Sequence, residues 1–171
     1  KYRPEDSRLL ERRAYSDGAG LLQYLIYLYD RMGNVLSIED KAMPVRYFNN
    51  QRIEPVSRFI YDSLYQLIAA SGWEAGGPIQ APESVGRNDP AALSNYRQTY
   101  RYDTGGNLLK LTHSGAQSPG RELKAAQFSN RCLPWRNSVP PTEAEMAAEF
   151  DDNGNLLELE QGCLLTWDLS N

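Results

Sequence analysis

The sequence predicts an all-β fold of antiparallel hairpins, with one short helix near residues 142–149. Three observations predict it: a motif that recurs four times without gaps, aromatic residues alternating ahead of it, and a Gly-Asn pair closing three of the four copies. The copies run from Tyr27 to Ile38, Phe59 to Ala70, Tyr100 to Leu111 and Ala148 to Leu159. Each reads aromatic-Asp, two variable residues, Gly-Asn, then apolar positions interrupted by one polar or small residue. A single Tyr-Asp-x-x-Gly-Asn is an ordinary turn signal; four in register within 171 residues mark a repeat architecture.

Taken in order, the first long apolar stretch, Leu21 to Tyr29, is broken by Gln23 and rich in tyrosine, which reads as a strand. Alternation places Tyr27 and Tyr29 on one face and Leu28 on the other. Asp30 then starts the reversal, because its carboxylate can accept a backbone N–H two residues on. Gly33 supplies the positive φ that closes a loop of three to five residues, and Leu36 and Ile38 return on one face of the second strand. Polar residues at the intervening position (Ser37, Lys110, Glu158) predict that the opposite face is wet or loosely lined. The turn residues predicted this way are Tyr29, Asp30, Gly33 and Asn34; Tyr61 and Asp62; Tyr102, Asp103, Gly106 and Asn107; and Phe150, Asp151, Gly154 and Asn155.

In the second copy Tyr65-Gln66 replaces Gly-Asn. A tyrosine held in the left-handed region is strained, so a different turn type is expected there. The Asp residues fall at 30, 62, 103 and 151, so the hairpins are joined by inserts of unequal length. Gly72 to Asn88 and Ser114 to Arg121, rich in Gly, Ser and Pro, are expected to be exposed loops. Pro140-Pro141 followed by Thr142, with Glu145 three residues later, fits a capping box and starts a helix over 142–149 that leads into the fourth copy and packs over the end of the sheet. Leu164 to Asp168 resembles the first half of a further hairpin, and a chain running from Lys1 to Asn171 reads as one segment, 1–171, of a longer polypeptide.

Composition narrows the function. Hydrophobic residues are 41% and charged ones 23%, with no apolar run near the roughly 18 residues of a membrane span. The net charge of −4 is interspersed and Arg12-Arg13 is too short to form a basic stripe, so nucleic acid is not an expected partner. The first residues lack the apolar core of a signal peptide. Cys132 and Cys163 stand in no metal-ligand spacing, and both pairing and free thiols fit them. His113 is the single histidine, placed at a strand end, and no nucleophile elbow, phosphate loop or HExxH is present. The acidic pairs Glu39-Asp40 and Asp151-Asp152 read as turn or solvated residues. No catalytic, metal or cofactor-binding residue is therefore expected. Tyr27, Tyr29, Tyr61, Tyr100, Tyr102, Trp73, Trp135 and Trp167 offer a sugar-stacking surface as an alternative, although aromatics at strand spacing more often pack across strands.

The Tyr-x-Tyr-Asp-x-x-Gly-Asn-Leu motif resembles the YD repeat of bacterial Rhs proteins. Arg46 to Pro55, running on to Tyr61-Asp62-Ser63-Leu64-Tyr65-Gln66-Leu67-Ile68, and Leu164 to Leu169 are similar to the C component of insecticidal Tc toxin complexes. That resemblance implies YD hairpins joined into a spiralling β-sheet shell, which with a B component encloses a variable C-terminal toxin until delivery. It implies as partners the neighbouring repeats of the same long chain, the B component and the enclosed toxin, and export as part of a toxin complex. The family's self-cleaving aspartate core has no counterpart in this sequence, so no catalytic residue carries over. A Rhs effector shell of a contractile secretion system is the alternative within the same architecture. Because a lone hairpin is marginal in water and an open sheet edge sticky, the segment is expected to need its neighbours.

Overall fold

A computed structural model describes residues 1–48, 50–75, 93–117, 120–160 and 162–168. Its elements, in order, are β1 (Glu11–Ser16), β2 (Gly20–Tyr29), β3 (Val35–Asp40), β4 (Arg46–Phe48), β5 (Gln51–Ile53), β6 (Val56–Tyr61) and β7 (Leu67–Ala75). There follow β8 (Leu93–Tyr102), β9 (Leu108–Ser114), β10 (Gly120–Ala125), β11 (Cys132–Pro134), α1 (Glu143–Ala148), β12 (Glu158–Glu160) and β13 (Cys163–Leu164). The chain divides into two compact units: Lys1–Tyr100 with Thr112–Gly120, and Arg101–Leu111 with Arg121–Asn171.

In the first unit the strands neighbour one another in the order β1-β2-β3-β6-β7-β8, every pair antiparallel. Hairpins join β1 to β2, β2 to β3 and β6 to β7, and β4 and β5 form a small side ribbon in the connection from β3 to β6. Register assigns the two faces. Tyr27 lies opposite Ile38 and Ile38 opposite Ser57, while Phe59 lies opposite Ala70 and Ala70 opposite Gln98. The other face carries Leu28, Ser37, Arg58, Ser71 and Arg97 in one row. The aromatic face is the better covered, and Ala70 beneath Phe59 is almost fully buried. Few side chains are fully buried, so this sheet is held largely by cross-strand pairs and hydrogen bonds.

The two YD hairpins of this unit break register at the same place. Leu28 pairs with Ser37 but Tyr29 with Val35; Ile60 pairs with Ala69 but Tyr61 with Leu67. The return strand thus carries one extra residue, Leu36 or Ile68, a β-bulge directly beside the turn that increases the local twist. Asp40, predicted to be a solvated loop residue, is instead buried at the end of β3. Its Oδ1 accepts the N–H groups of Tyr24 (2.9 Å) and Ala42 (3.0 Å), which satisfies the carboxylate and fixes the chain reversal.

The first predicted loop is shorter than expected. Gly72 to Ala75 belong to β7 and pair with β8 from Tyr96 back to Leu93, because Trp73 and Glu74 continue the alternation of the strand. Residues 76–88 of that stretch lie outside the described residues. Of the second predicted loop, Ser114 ends β9 and Gly120-Arg121 begin β10, leaving a bend at 115–117 and two residues outside the description.

In the second unit β10 pairs with β11, and β12 with β13. Thr142 caps α1 through both arms of a capping box: the Glu145 N–H donates to Thr142 Oγ1 (3.2 Å), and Glu145 Oε2 accepts the Thr142 N–H (2.7 Å). The helix is short and its inner side is anchored by Met146, the most completely buried large side chain among the described residues. Leu164 and Leu165 run antiparallel to the return strand of the fourth copy, the Leu165 N–H donating to Leu157 O (2.8 Å). The Trp167 indole N–H donates to Leu156 O (2.7 Å).

Candidate functional site

The four Asp residues sit at four separate chain reversals, and one hydrogen-bond scheme recurs in all of them. The Asp N–H donates to the carbonyl four residues on: Asp30 to Asn34 (3.0 Å), Asp62 to Gln66 (3.0 Å), Asp103 to Asn107 (3.0 Å) and Asp151 to Asn155 (2.9 Å). The Asp carboxylate turns inward over the loop. Its Oδ1 accepts the backbone N–H of Asn34 (2.9 Å), Gln66 (2.9 Å), Asn107 (2.9 Å) or Asn155 (2.8 Å). Where Asn follows Gly, its side-chain amide donates to Oδ2, at 2.7, 2.9 and 3.0 Å in the first, third and fourth turns. A further N–H reaches Oδ1 from Gly33 (2.7 Å), Leu64 (2.8 Å) or Gly105 (2.8 Å). Asn at the last position thus adds a side chain that reaches back to the Asp in three of the turns, a role that the turn-residue statistics alone do not reveal.

In the first, third and fourth turns these bonds favour the ionised carboxylate. The Asn34 and Asn107 side-chain amides are the chief cause that holds Asp30 and Asp103 below the usual carboxylate range, and the Asn155 backbone N–H is the chief cause for Asp151. A carboxyl depressed in the folded state contributes stability that is complete above its unfolded value and is lost as pH falls through the folded one. The denaturant midpoint is therefore expected to stay level from neutral pH down to about pH 5 and to fall steeply below about pH 4, the ordinary Asp range. Asp103→Asn is expected to flatten that descent, and an unchanged acid limb in this variant would show that the turns do not set it.

The second turn departs from expectation. It is the same turn, not another type, and Tyr65 occupies the glycine position with φ +63°. Gly33, Gly106 and Gly154 hold that position at +107°, +83° and +88°. The Tyr65 N–H donates to Asp62 O at 3.1 Å, as Gly106 does to Asp103 O at 3.1 Å and Gly154 to Asp151 O at 3.0 Å. Bonds from Leu64 and Gln66 to one carboxylate oxygen over-determine the loop, so the backbone tolerates the strained tyrosine.

Two further roles were invisible in the motif. First, the tyrosine before Asp fastens its hairpin to the preceding strand. The Tyr29 hydroxyl donates to Leu9 O (2.8 Å), and the Tyr61 hydroxyl donates to Val35 O (3.0 Å), the first residue of the previous hairpin's return strand. The Val35 carbonyl that the phenol reaches lies beside the bulge of the preceding hairpin. Tyr61→Phe is expected to cost about 1 kcal/mol in denaturant unfolding, the net value of one such bond with its acceptor left behind. No measurable change would show that Val35 O finds water instead.

Second, an arginine clamps two of the turns from outside. Arg8 donates to Asp30 O (3.3 Å) and lies over the Tyr29 ring (5.9 Å); Arg131 donates to Asp151 O (2.9 Å) and lies over the Phe150 ring (5.5 Å). Both arginines come from segments more than fifteen residues upstream, so no local pattern could expose them.

The His113 side chain, on β9, is buried against residues of β7 and β8: its Nε2 meets Glu74 Oε1 (3.1 Å), its Nδ1 meets Gln98 Nε2 (3.1 Å), and it stacks on Tyr96. Gln98 Oε1 in turn accepts the Tyr100 hydroxyl (2.7 Å). Glu74 Oε1 also accepts the N–H groups of Ala116 (2.6 Å) and Gln117 (3.3 Å), tying down the bend after β9. Both nitrogens of the imidazole thus meet protein side chains. Cys132 and Cys163 are free thiols, and burial pushes the Cys132 thiol up, away from reactivity. Among the described residues no group of His, Cys, Asp and Glu is placed to hold a metal, and no helix is long and apolar enough to cross a membrane. Of the aromatics weighed as a sugar platform, Trp73 belongs to the first unit, where it extends β7, and Trp135 and Trp167 belong to the second.

Comparison with known proteins places these turns in a family. No family profile matches the chain. Toxin subunits YenC2 and YenC1 of Yersinia entomophaga are each 35% identical to it, over 97% of this chain and 18% of their own length. The solved structure of TcdB2-TccC3-Cdc42 matches with a TM-score of 0.70 at 35% identity, covering 99% of this chain and 8% of that one. TcdB2-TccC3 without its hypervariable C-terminal region matches with a TM-score of 0.70 at 34% identity, with the same coverage. The chain thus spans under a fifth of the length of the curated relatives it matches. With its repeated Asp-closed turns, its antiparallel sheet and this likeness along nearly its whole length, the chain belongs to the Rhs/YD-repeat family, among the C subunits of bacterial insecticidal toxin complexes.

Proposed function

We propose that this segment is wall: a run of the β-sheet shell of a Tc toxin C component that, with its B component, encloses the toxin portion of the longer polypeptide until delivery. The segment itself performs no catalysis, and the complex acts outside the cell that makes it. The observation that carries this reading is the fastening of hairpin to hairpin. Each turn is closed internally by its own Asp, and the Tyr61 phenol then bonds the carbonyl of the preceding hairpin, so adding hairpins extends one continuous sheet. Such a device builds surface. A B-component partner is supported by the related structures, in which TcdB2 and TccC3 occur together.

The test uses the full-length C component assembled with its B component. Asp30→Ala combined with Asp103→Ala opens two turns of the wall. Limited proteolysis is expected to cut the C-terminal toxin portion in this variant while the wild-type assembly protects it. Equal protection in both, or equal cleavage in both, overturns the enclosure.

A further inference from the structure

The four turns differ at the residue just before the glycine position: Met32, Leu64, Gly105 and Asn153. Only in the fourth does an asparagine there precede a glycine, and Asn153-Gly154 is the one Asn-Gly pair in the sequence. That pair has a chemistry of its own. A side-chain amide stands next to the main-chain nitrogen of a residue with no Cβ, so the nitrogen reaches the Asn Cγ without steric hindrance. Both residues are exposed, and a Cβ placed on Gly154 would meet nothing nearer than Arg131 at 3.8 Å, so the approach is open.

In the closed turn that nitrogen is engaged. The Gly154 N–H donates to Asp151 O (3.0 Å), while the Asn155 N–H and side-chain amide donate to the Asp151 carboxylate (2.8 and 3.0 Å). The Asn153 N–H also helps to hold that carboxylate charged. Attack requires the Gly154 nitrogen to give up its proton and then to turn its lone pair on Asn153 Cγ, and both movements break this set of bonds. The ionised Asp151 carboxylate nearby also opposes the negative charge that develops on the nitrogen.

We propose that Asn153 is a site of spontaneous deamidation gated by its own turn: closed, the turn withholds the Gly154 nitrogen; opened, it releases it, and the isoaspartate product can no longer close it. In the open form the Gly154 nitrogen loses its proton to hydroxide and bonds to Asn153 Cγ. The Cγ–Nδ2 bond breaks, and the side-chain nitrogen takes a proton from water and leaves as ammonia. Water then opens the cyclic succinimide and is the only co-reactant. Cleavage of the new N–Cγ bond gives aspartate on the normal backbone; cleavage at the main-chain carbonyl of residue 153 routes the backbone through the side chain, as isoaspartate. Isoaspartate adds a methylene to the main chain inside a loop that closes by the Asp151 N–H on Asn155 O (2.9 Å) and two bonds from Asn155 to the Asp151 carboxylate. The lengthened loop does not fit that set, and Arg131 loses its hold on Asp151 O. The chemistry is the turn's own and does not depend on what the sheet encloses.

The test is made in the full-length polypeptide, held in mildly alkaline buffer and sampled over time by peptide mapping with mass spectrometry, which separates asparagine at 153 from its aspartate and isoaspartate forms. Wild type is expected to accumulate both slowly. Asp151→Ala is expected to accumulate them about tenfold faster, since modification tracks the opened population and this carboxylate holds the turn shut. Asp103→Ala, which opens the third turn alone, is expected to match the wild-type rate. Arg131→Ala separates opening from charge. Removing a cation beside the nitrogen would slow the attack, whereas loosening the clamp on Asp151 O speeds it, and a faster rate is expected. Equal rates in wild type and Asp151→Ala, an equal acceleration in Asp103→Ala, no acceleration in Arg131→Ala, or no product in any of them overturns the proposal.

Discussion

Gly33→Ala is expected to destabilise the protein by about 3 kcal/mol, twice the effect of the equivalent change in the fourth turn. Two causes add. Gly33 has φ +107°, which side-chain-bearing residues rarely adopt, and such strain costs on the order of 1–2 kcal/mol. A Cβ there would also lie 2.6 Å from Arg8 Nη2. The guanidinium is the end of a flexible side chain and can withdraw, but it then gives up its bond to Asp30 O and its place over Tyr29, about 1 kcal/mol more. Gly154 has φ +88° but its Cβ would meet Arg131 at an ordinary 3.8 Å, so Gly154→Ala is expected to cost only about 1.5 kcal/mol of strain. The decisive measurement is a double-mutant cycle by denaturant unfolding. With Arg8→Ala already in place, Gly33→Ala is expected to cost no more than Gly154→Ala. If the excess at Gly33 survives removal of Arg8, the clamp is not its origin.

Met146→Ala is expected to cost about 3 kcal/mol and to release α1. Met146 is 1% exposed, and large-to-small changes at such sites cost about 2–5 kcal/mol through lost transfer energy and the cavity left behind. The six-residue helix cannot persist by itself, since isolated helices of that length are unstable in water. Its capping box fixes where it starts but not whether it forms. The amide N–H groups of Met146 and Glu149, bonded to Thr142 O (3.0 Å) and Glu145 O (3.1 Å), report the helix directly by hydrogen exchange. Both are expected to lose protection in Met146→Ala and to keep it in Ala144→Ser, where the side chain is exposed. Retained protection in the Met146 variant would show that the cap alone sustains the helix.

The repeat, the strand character of its flanks and the start of α1 at Thr142 were legible because each is a local affair. Alternation with period two, an Asp able to take up nearby N–H groups, and Thr and Glu three apart act over a few residues, and the sequence displays that range completely. The same locality misled at Tyr65. A tyrosine at positive φ is strained when considered alone, and only the bonds converging on the Asp62 carboxylate show why the chain accepts it. It misled again at Gly72 and Asp40. Glycine and serine around Gly72 read as loop, and Asp40 reads as solvent-facing, until a neighbouring strand and the Tyr24 N–H supply partners for them.

By itself, then, the sequence determined where the chain turns, because a turn is decided by four or five consecutive residues competing only with water. What each turn leans on was settled by the tertiary structure. Arg8 beneath Asp30, Arg131 beneath Asp151, the phenol of Tyr61 on Val35 and the Glu74–His113 pair join residues from about 20 to 39 positions apart. Such contacts exist only after strands have paired in one register, and register is fixed by the summed fit of both faces and not by any single motif.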